Sequence, residues 1–157
     1  FNNRFSMEVL IDEEDEEACD FLIPRLIVQA VVENAIFHGL EEKLEGGKVT
    51  IDIIVTDKNL ILMISDNGKG MDADTLKELN ARIQSNNVEL DDREERNQRN
   101  TGIALPNIHK RIQLLFGEEY GVNVYSTAGQ GTDVEITIPA NYKTDREKDH
   151  EERIAEN

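Results

Sequence analysis

The chain has 157 residues, with 17 Lys and Arg against 33 Asp and Glu, a formal net charge of −16. That acid excess argues against nonspecific binding to nucleic acid or to an anionic membrane surface, since either would be repelled, but it leaves room for a small anionic ligand in a local site. Leu, Ile, Val and Phe supply 44 residues, above the share of roughly 20% below which a highly charged chain stays disordered, and the length suits one domain.

In chain order, residues 5–11 read as a strand, followed by six consecutive carboxylates from Asp12 to Glu17 that suit a solvated loop. Cys19 is the only cysteine, so there is no internal disulfide and no multi-cysteine zinc site, which fits a reducing, cytoplasmic setting. Ile23 to Leu40 reads as a helix: Pro24 suits its first turn, and Ile27, Val28, Val31, Val32, Ala35 and Ile36 form one apolar stripe. Val49, Ile51, Ile53 and Val55 alternate with polar residues as in a strand, and Leu60 to Ile64 is a buried strand that ends at Ser65-Asp66-Asn67-Gly68. Leu76, Leu79, Ala81 and Ile83 predict a short helix over 72–84. Residues 85–101 are polar and nearly free of apolar groups, a long loop of the kind that is usually a lid or a disordered segment.

A second amphipathic helix is predicted over 104–116, with Leu105, Ile108, Ile112 and Leu115 on one face. Val122 and Val124 begin a strand, Gly129-Gln130-Gly131 turns, and Val134, Ile136 and Ile138 alternate up to Pro139. Residues 141–157 are highly charged and read as a tail outside a domain spanning 1–140. No apolar run approaches the ~18 residues of a membrane span. The first residue is Phe1 and no signal peptide is visible, so the expectation is a fragment of a longer protein. Hairpin-linked strands mixed with helices predict an α+β two-layer sandwich, a mixed sheet with helices on one face.

Four segments carry candidate chemistry. On the first predicted helix, Gln29, Glu33, Asn34 and His38 sit beside the apolar stripe. Asn34 and His38 are i, i+4 and share a face of a regular α-helix, and an amide oxygen there suits Mg²⁺. Asp66-Asn67-Gly68-Lys69-Gly70-Met71 follows a buried strand: the carboxylate can accept from an exocyclic amine, and the glycines allow close backbone approach. Asn100-Thr101-Gly102-Ile103-Ala104-Leu105 opens a helix whose first N–H groups favour phosphate. Gly129-Gln130-Gly131-Thr132 links two strands. Taken singly, each also reads as a plain polar helix face, Asx turn, helix start or hairpin turn.

In this order and spacing the four segments resemble the ATP-binding domain of the GHKL superfamily of gyrase, 90-kDa heat-shock chaperones, histidine kinases and mismatch-repair ATPases. The stretches VENAIFHG, DNGKGM and NIHKRI look most like sensor histidine kinases with membrane-bound sensors. The resemblance covers about residues 5–140 and implies a Bergerat-type fold. It implies that Asp66 binds the adenine amine, with Gly68, Gly70 and Met71 near the base and Thr132 supporting that end. It implies that Asn34 coordinates Mg²⁺ on the ATP phosphates, that a lid over roughly 72–101 closes on the nucleotide, and that Gly102, Ile103 and Leu105 offer phosphate-facing amides. Glu33, Asn34 and His38 are the candidate catalytic residues, His38 also contacting nucleotide.

The implied reaction is γ-phosphoryl transfer from ATP to a histidine on an upstream dimerisation helix of the same protein, with a response regulator as the next partner and with neither nucleic acid nor direct membrane contact by this domain. The domain is expected in the cytoplasm, its full-length protein anchored in the cell membrane. His38, His109 and His150 lie in no recognisable phosphoacceptor helix, so little activity is expected without that upstream segment. There are departures from the pattern: Phe37 stands where relatives place Lys or Arg, and Asn100 and Ala104 stand where glycines are common. Ala30 occupies the position of the water-activating glutamate of hydrolytic members, which favours a kinase. Another GHKL ATPase, an anti-sigma-type serine kinase and a non-catalytic nucleotide-binding module are the alternative readings.

Overall fold

Alternating apolar residues bury one side of a strand, and the predicted strands meet on that shared side. The computed structural model describes residues 5–11, 25–40, 43, 45–85 and 104–140. Among these, β1 (Phe5–Ile11), β2 (Gly47–Val55), β3 (Asn59–Asp66), β4 (Gly121–Thr127) and β5 (Gly131–Pro139) form one sheet in the order β1-β2-β3-β5-β4. β1 pairs with β2 in parallel and the other pairs are antiparallel. A parallel pair needs a crossover, and α1 (Arg25–Asn34) lies in that connection.

Strand register sorts the inward residues into rows. Val55, Leu60 and Ile138 make one row; Ile53, Leu62, Ile136 and Val122 the next; Ile51, Ile64, Val134 and Val124 the third. Leu60, Leu62, Ile64 and Ile136 are each at most 1% exposed, and burying a side chain of this size stabilises by about 1.5–3 kcal/mol. The fourth row changes character: Val49, Asp66, Thr132 and Ser126. The apolar face of the sheet thus ends in three adjacent polar side chains. The opposite face carries Thr50, Asp52, Ser65, Asn123 and Glu135, together with exposed Ile54 and Tyr125.

Helices cover the inward face. α1 buries Ile27 and Val31, and Ala35 just beyond it continues that stripe. α2 (Ala73–Gln84) starts at Asp72, whose carboxylate accepts from Thr75 N–H at 2.8 Å, a cap that satisfies an orphan donor and holds the Asp72 carboxyl below the usual range. Leu79 and Ile83 pack inward while Ala81 points to solvent, because i, i+4 spacing fixes the buried stripe and Ala81 falls outside it. α3 (Ala104–Phe116) has the bounds that its periodicity predicts and buries Leu105, Ile108 and Ile112; Leu115, assigned to the same face from sequence, is exposed. α2 packs on α3 and β4, and α3 packs also on α1 and β5.

The first predicted helix differs from expectation in one respect. It is α-helical only to Asn34; Ala35–Gly39 is a π-helical turn. An i→i+5 turn breaks the regular 3.6-residue spacing, and such turns are frequent at functional sites. The i, i+4 argument that paired Asn34 with His38 therefore does not apply across this junction.

His109 is the buried polar residue of the core, 7% exposed. Its Nδ1 accepts from Val122 N–H at 2.9 Å, so the imidazole is neutral with its proton on Nε2. The ring lies against Gly121, where a Cβ would run into Nδ1 and Cε1. Burial pushes the His109 pKa below its ordinary 6.5. The unfolded chain therefore binds more protons than the fold at mildly acidic pH. The contribution is fully present above pH 6.5 and is lost as the pH falls from there through the depressed folded value. Thermal melts between pH 8 and 5 should show this loss. His109→Leu should flatten that dependence and, by leaving Val122 N–H unpaired, lower stability by about 1–3 kcal/mol at neutral pH.

The expected tail over 141–157, residues 86–101 of the expected lid, and Gly102 and Ile103 lie outside the described residues.

Candidate nucleotide site

Where β3 leaves the core it ends in Asp66, and the loop that follows doubles back. Asp66 Oδ1 accepts from Gly68 N–H at 2.9 Å, the local turn that Asp favours two residues ahead of a glycine. Asn67 ties the loop to the start of β2: its Oδ1 accepts from Lys48 N–H at 2.8 Å and its Nδ2 donates to the Gly46 carbonyl at 3.0 Å. Gly68 is buried and Met71 half-buried against the core. Gly70 has φ +65, and a Cβ there would run into the Thr127 carbonyl oxygen, so this position needs a glycine twice over.

The turn after β4 reaches the same place. Gly129 N–H donates to the Lys69 carbonyl at 2.6 Å. Gly131 has φ +112 and lies so close to Asp66 that an added Cβ would strike its carbonyl oxygen. Ser126 Oγ accepts from Met71 N–H at 2.9 Å, donates to the Gly131 carbonyl at 2.8 Å and meets Thr132 Oγ1 at 2.9 Å. The two glycine-rich segments, separated in sequence by some 60 residues and unremarkable singly, are thus one hydrogen-bonded unit built around the polar end row.

Asp66 is partly buried at that row. Desolvation raises its pKa above the ordinary 3.8, partly offset by the backbone N–H groups of Gly68 and Thr132; the nearby Asp133 raises it further and Lys43 lowers it. The carboxylate is held in place by the fold with burial working against its charge, the condition of a group set to receive a donor.

Asn34 stands at the α-to-π junction, half-buried, and its side chain makes no capping hydrogen bond. The π turn packs on β3 and β5, the strands bearing Asp66 and Thr132. Glu33 is exposed and its Oε1 accepts from Gln29 Nε2 at 3.0 Å, so it points to a different side from its half-buried neighbour. Phe37 is 57% exposed. The backbone of His38 belongs to the π turn; its side chain, like Gly102 and Ile103, is outside the described residues. Leu105 is 3% exposed, so its side chain anchors the first turn of α3 in the core, and only its backbone is left for a ligand. Residues 73–84, included in the lid by the sequence reading, form α2 and pack on α3 and β4.

Among the described residues no group of three His, Cys, Asp or Glu could hold a metal ion. The donor chemistry suits a single amide oxygen at Asn34, and Mg²⁺, which keeps several waters and binds largely through substrate phosphates, asks for little more.

Sequence reasoning missed Ser126. A signal was present: Val122 and Val124 face inward, so strict alternation puts Ser126 inward too, and a hydroxyl at an inward position calls for partners.

A sequence profile for histidine kinase-, DNA gyrase B- and HSP90-like ATPases matches residues 20–142. The chain is similar to sensor protein LytS of Staphylococcus epidermidis, 30% identical over 154 residues that cover 98% of this chain and 23% of that protein. It is also similar to sensor histidine kinase YesM of Bacillus subtilis, 34% identical over 125 residues, 80% of this chain and 18% of that one. The chain spans less than a quarter of the length of these curated relatives. In structure it is similar to the catalytic domain of histidine kinase ThkA, with TM-score 0.58 and 15% identity over 88% of this chain and 82% of that chain. It is similar too to the histidine kinase domain of the Erythrobacter litoralis EL346 blue-light activated kinase, with TM-score 0.51 and 21% identity over 88% and 52% of the two chains. At these identities the structural likeness is one of fold.

Proposed function

The chain belongs to the histidine kinase-, DNA gyrase B- and HSP90-like ATPase family, and from that premise we propose that it is the ATP-binding catalytic domain of a two-component sensor histidine kinase. The observation that carries the reading is the joined polar end row, Asp66, Thr132 and Ser126, with both glycine segments locked around it. It supplies a fixed carboxylate at the edge of an apolar face, which is what an adenine ring with its exocyclic amine requires. ATP is the nucleotide the family binds.

Mg²⁺ bound to the phosphates would supply charge neutralisation at the transferred group. Asn34 is the residue proposed to hold it, the amides at the start of α3 to face the phosphates, and Asp66 to anchor the base. Phosphoryl transfer depends on positioning and charge more than on covalent help, so the domain needs no nucleophile of its own. The half-buried position 30 carries alanine, which supports transfer to an external acceptor over water activation. Glu33, adjacent to Asn34, and His38 remain proposed contributors to catalysis.

The acceptor is proposed to be a histidine on a dimerisation helix of the same protein, with a response regulator receiving the phosphoryl group next. The domain would sit on the cytoplasmic side of a membrane-anchored sensor; among the described residues no helix is long and apolar enough to cross a membrane. Incubation of γ-labelled ATP with a longer form of the protein that includes the preceding helices should give acid-labile, base-stable phosphohistidine on that segment. Label released only as inorganic phosphate, or found on serine, would point to the other family activities and overturn the kinase reading.

A further inference from the structure

The hydrogen-bond inventory around Ser126 closes without remainder. A serine hydroxyl has one proton and two acceptor sites. The Gly131 carbonyl, 2.8 Å away, cannot donate, so it takes the Ser126 proton. Met71 N–H, at 2.9 Å, fills one acceptor site. The contact of 2.9 Å with Thr132 Oγ1 can then be made in one sense only, with Thr132 donating to Ser126. Thr132 is left with acceptor sites and no free proton.

Thr132 is the register partner of Asp66 on one side and of Ser126 on the other. The polar end row therefore presents acceptors side by side, the Asp66 carboxylate and the Thr132 hydroxyl oxygen. Any group that reaches Thr132 Oγ1, base or water, must donate to it. A purine with an amine at its 6-position meets this demand. A purine with a carbonyl there brings an acceptor against acceptors, and sites built to bond a substrate N–H reject analogues lacking it.

We propose that Ser126, whose hydroxyl is fully engaged with Met71, Gly131 and Thr132, is the positioning residue that fixes Thr132 as an acceptor and so makes the site selective for 6-amino over 6-oxo purine nucleotides. This rests on the reading of the row as the base end of an ATP site. Ser126 acts through Thr132 and simultaneously holds the loop at Met71 against the turn at Gly131.

The test is calorimetric titration of the protein with ATP and with inosine triphosphate, which has a carbonyl in place of the 6-amine and a proton on N1, both with Mg²⁺. Wild type should prefer ATP. Ser126→Ala frees the Thr132 hydroxyl to rotate and donate, so the ATP-to-inosine-triphosphate affinity ratio should fall about tenfold, the weight of one hydrogen bond, with inosine triphosphate binding held or improved. Thr132→Val should also lower the ratio, and in that background Ser126→Ala should change it no further, as expected of a residue that acts through its neighbour. A proportional loss of both nucleotides in Ser126→Ala, or no change in the ratio, overturns the proposal. If Ser126→Ala fails to fold, full ATP preference in Thr132→Val overturns it. A wild type that binds neither nucleotide defeats the site reading itself, a different result from an unchanged ratio.

Discussion

Asp66→Asn should lower ATP affinity about 100-fold while leaving the fold intact. The carboxylate is the one charged group of the polar end row, and a hydrogen bond from a buried donor to a charged acceptor is worth about 1.5–3 kcal/mol. The asparagine Oδ1 can still accept from Gly68 N–H, as Asp66 Oδ1 does at 2.9 Å, so the loop keeps its local anchor. The sign of the stability change follows from the carboxyl's titration. Burial raises the Asp66 pKa above 3.8, so between 3.8 and the folded value the native chain binds more protons than the unfolded one. Stability is therefore lost as pH rises through that window, and above it the penalty is complete.

Asn carries no such penalty. At neutral pH the apo variant should melt no lower than wild type, and the difference should vanish below pH 3.8. Titration calorimetry and thermal melts on the same samples separate the two effects. ATP affinity of the wild type should also fall on acidification at a higher pH than an ordinary aspartate would allow, because the protonated carboxyl is an uncharged, weaker acceptor for the amine and turns an O–H toward the base. Unchanged ATP affinity in Asp66→Asn would remove Asp66 from the base site.

The sequence resolves the elements well where one period dominates. Alternation at Val49–Val55 and Val134–Ile138 predicts both strands, and the i, i+3, i+4 pattern of α3 predicts its span to the residue. It does not resolve the π turn, because Ala35 and Ile36 continue the apolar stripe of α1 without interruption, and a one-residue widening of the helix leaves no compositional trace. The link between the two glycine segments is hidden for a different reason. It depends on the register of β3, β5 and β4, which brings Asp66, Thr132 and Ser126 into line, and register is a property of the assembled sheet. The chemistry at each segment is legible locally; that the segments form one site is legible only in three dimensions. The acid excess takes on its meaning there too. The proposed site, of backbone amides, one carboxylate and one amide oxygen, would not draw on bulk positive charge, so a net charge of −16 is no obstacle to it.

Gly131→Ala and Gly129→Ala should differ by about 2–3 kcal/mol although both glycines lie in the same turn. Both have positive φ, +112 and +78, and a left-handed conformation alone costs an alanine about 1–2 kcal/mol. Gly129 has nothing within 4 Å of an added Cβ, so that cost is nearly all it should show. Gly131 faces backbone: its Cβ would strike the Asp66 carbonyl oxygen and lie 2.9 Å from Asp66 C and 3.0 Å from Asn67 Cα. These atoms cannot swing aside as a side chain does. Asp66 is paired in register with Thr132, and Asn67 is tied to Lys48 and Gly46, so relief requires prising β3 from β5 at the end of the core. Backbone strain and overpacking together should cost about 3–5 kcal/mol, a drop in Tm of about 10 °C or more, against a few degrees for Gly129→Ala. Because the displaced atoms belong to Asp66, Gly131→Ala should also lose ATP binding at temperatures where it is still folded, and Gly129→Ala should keep it. Equal melting of the two variants would mean that the close approach of the turn to Asp66 does not constrain the site.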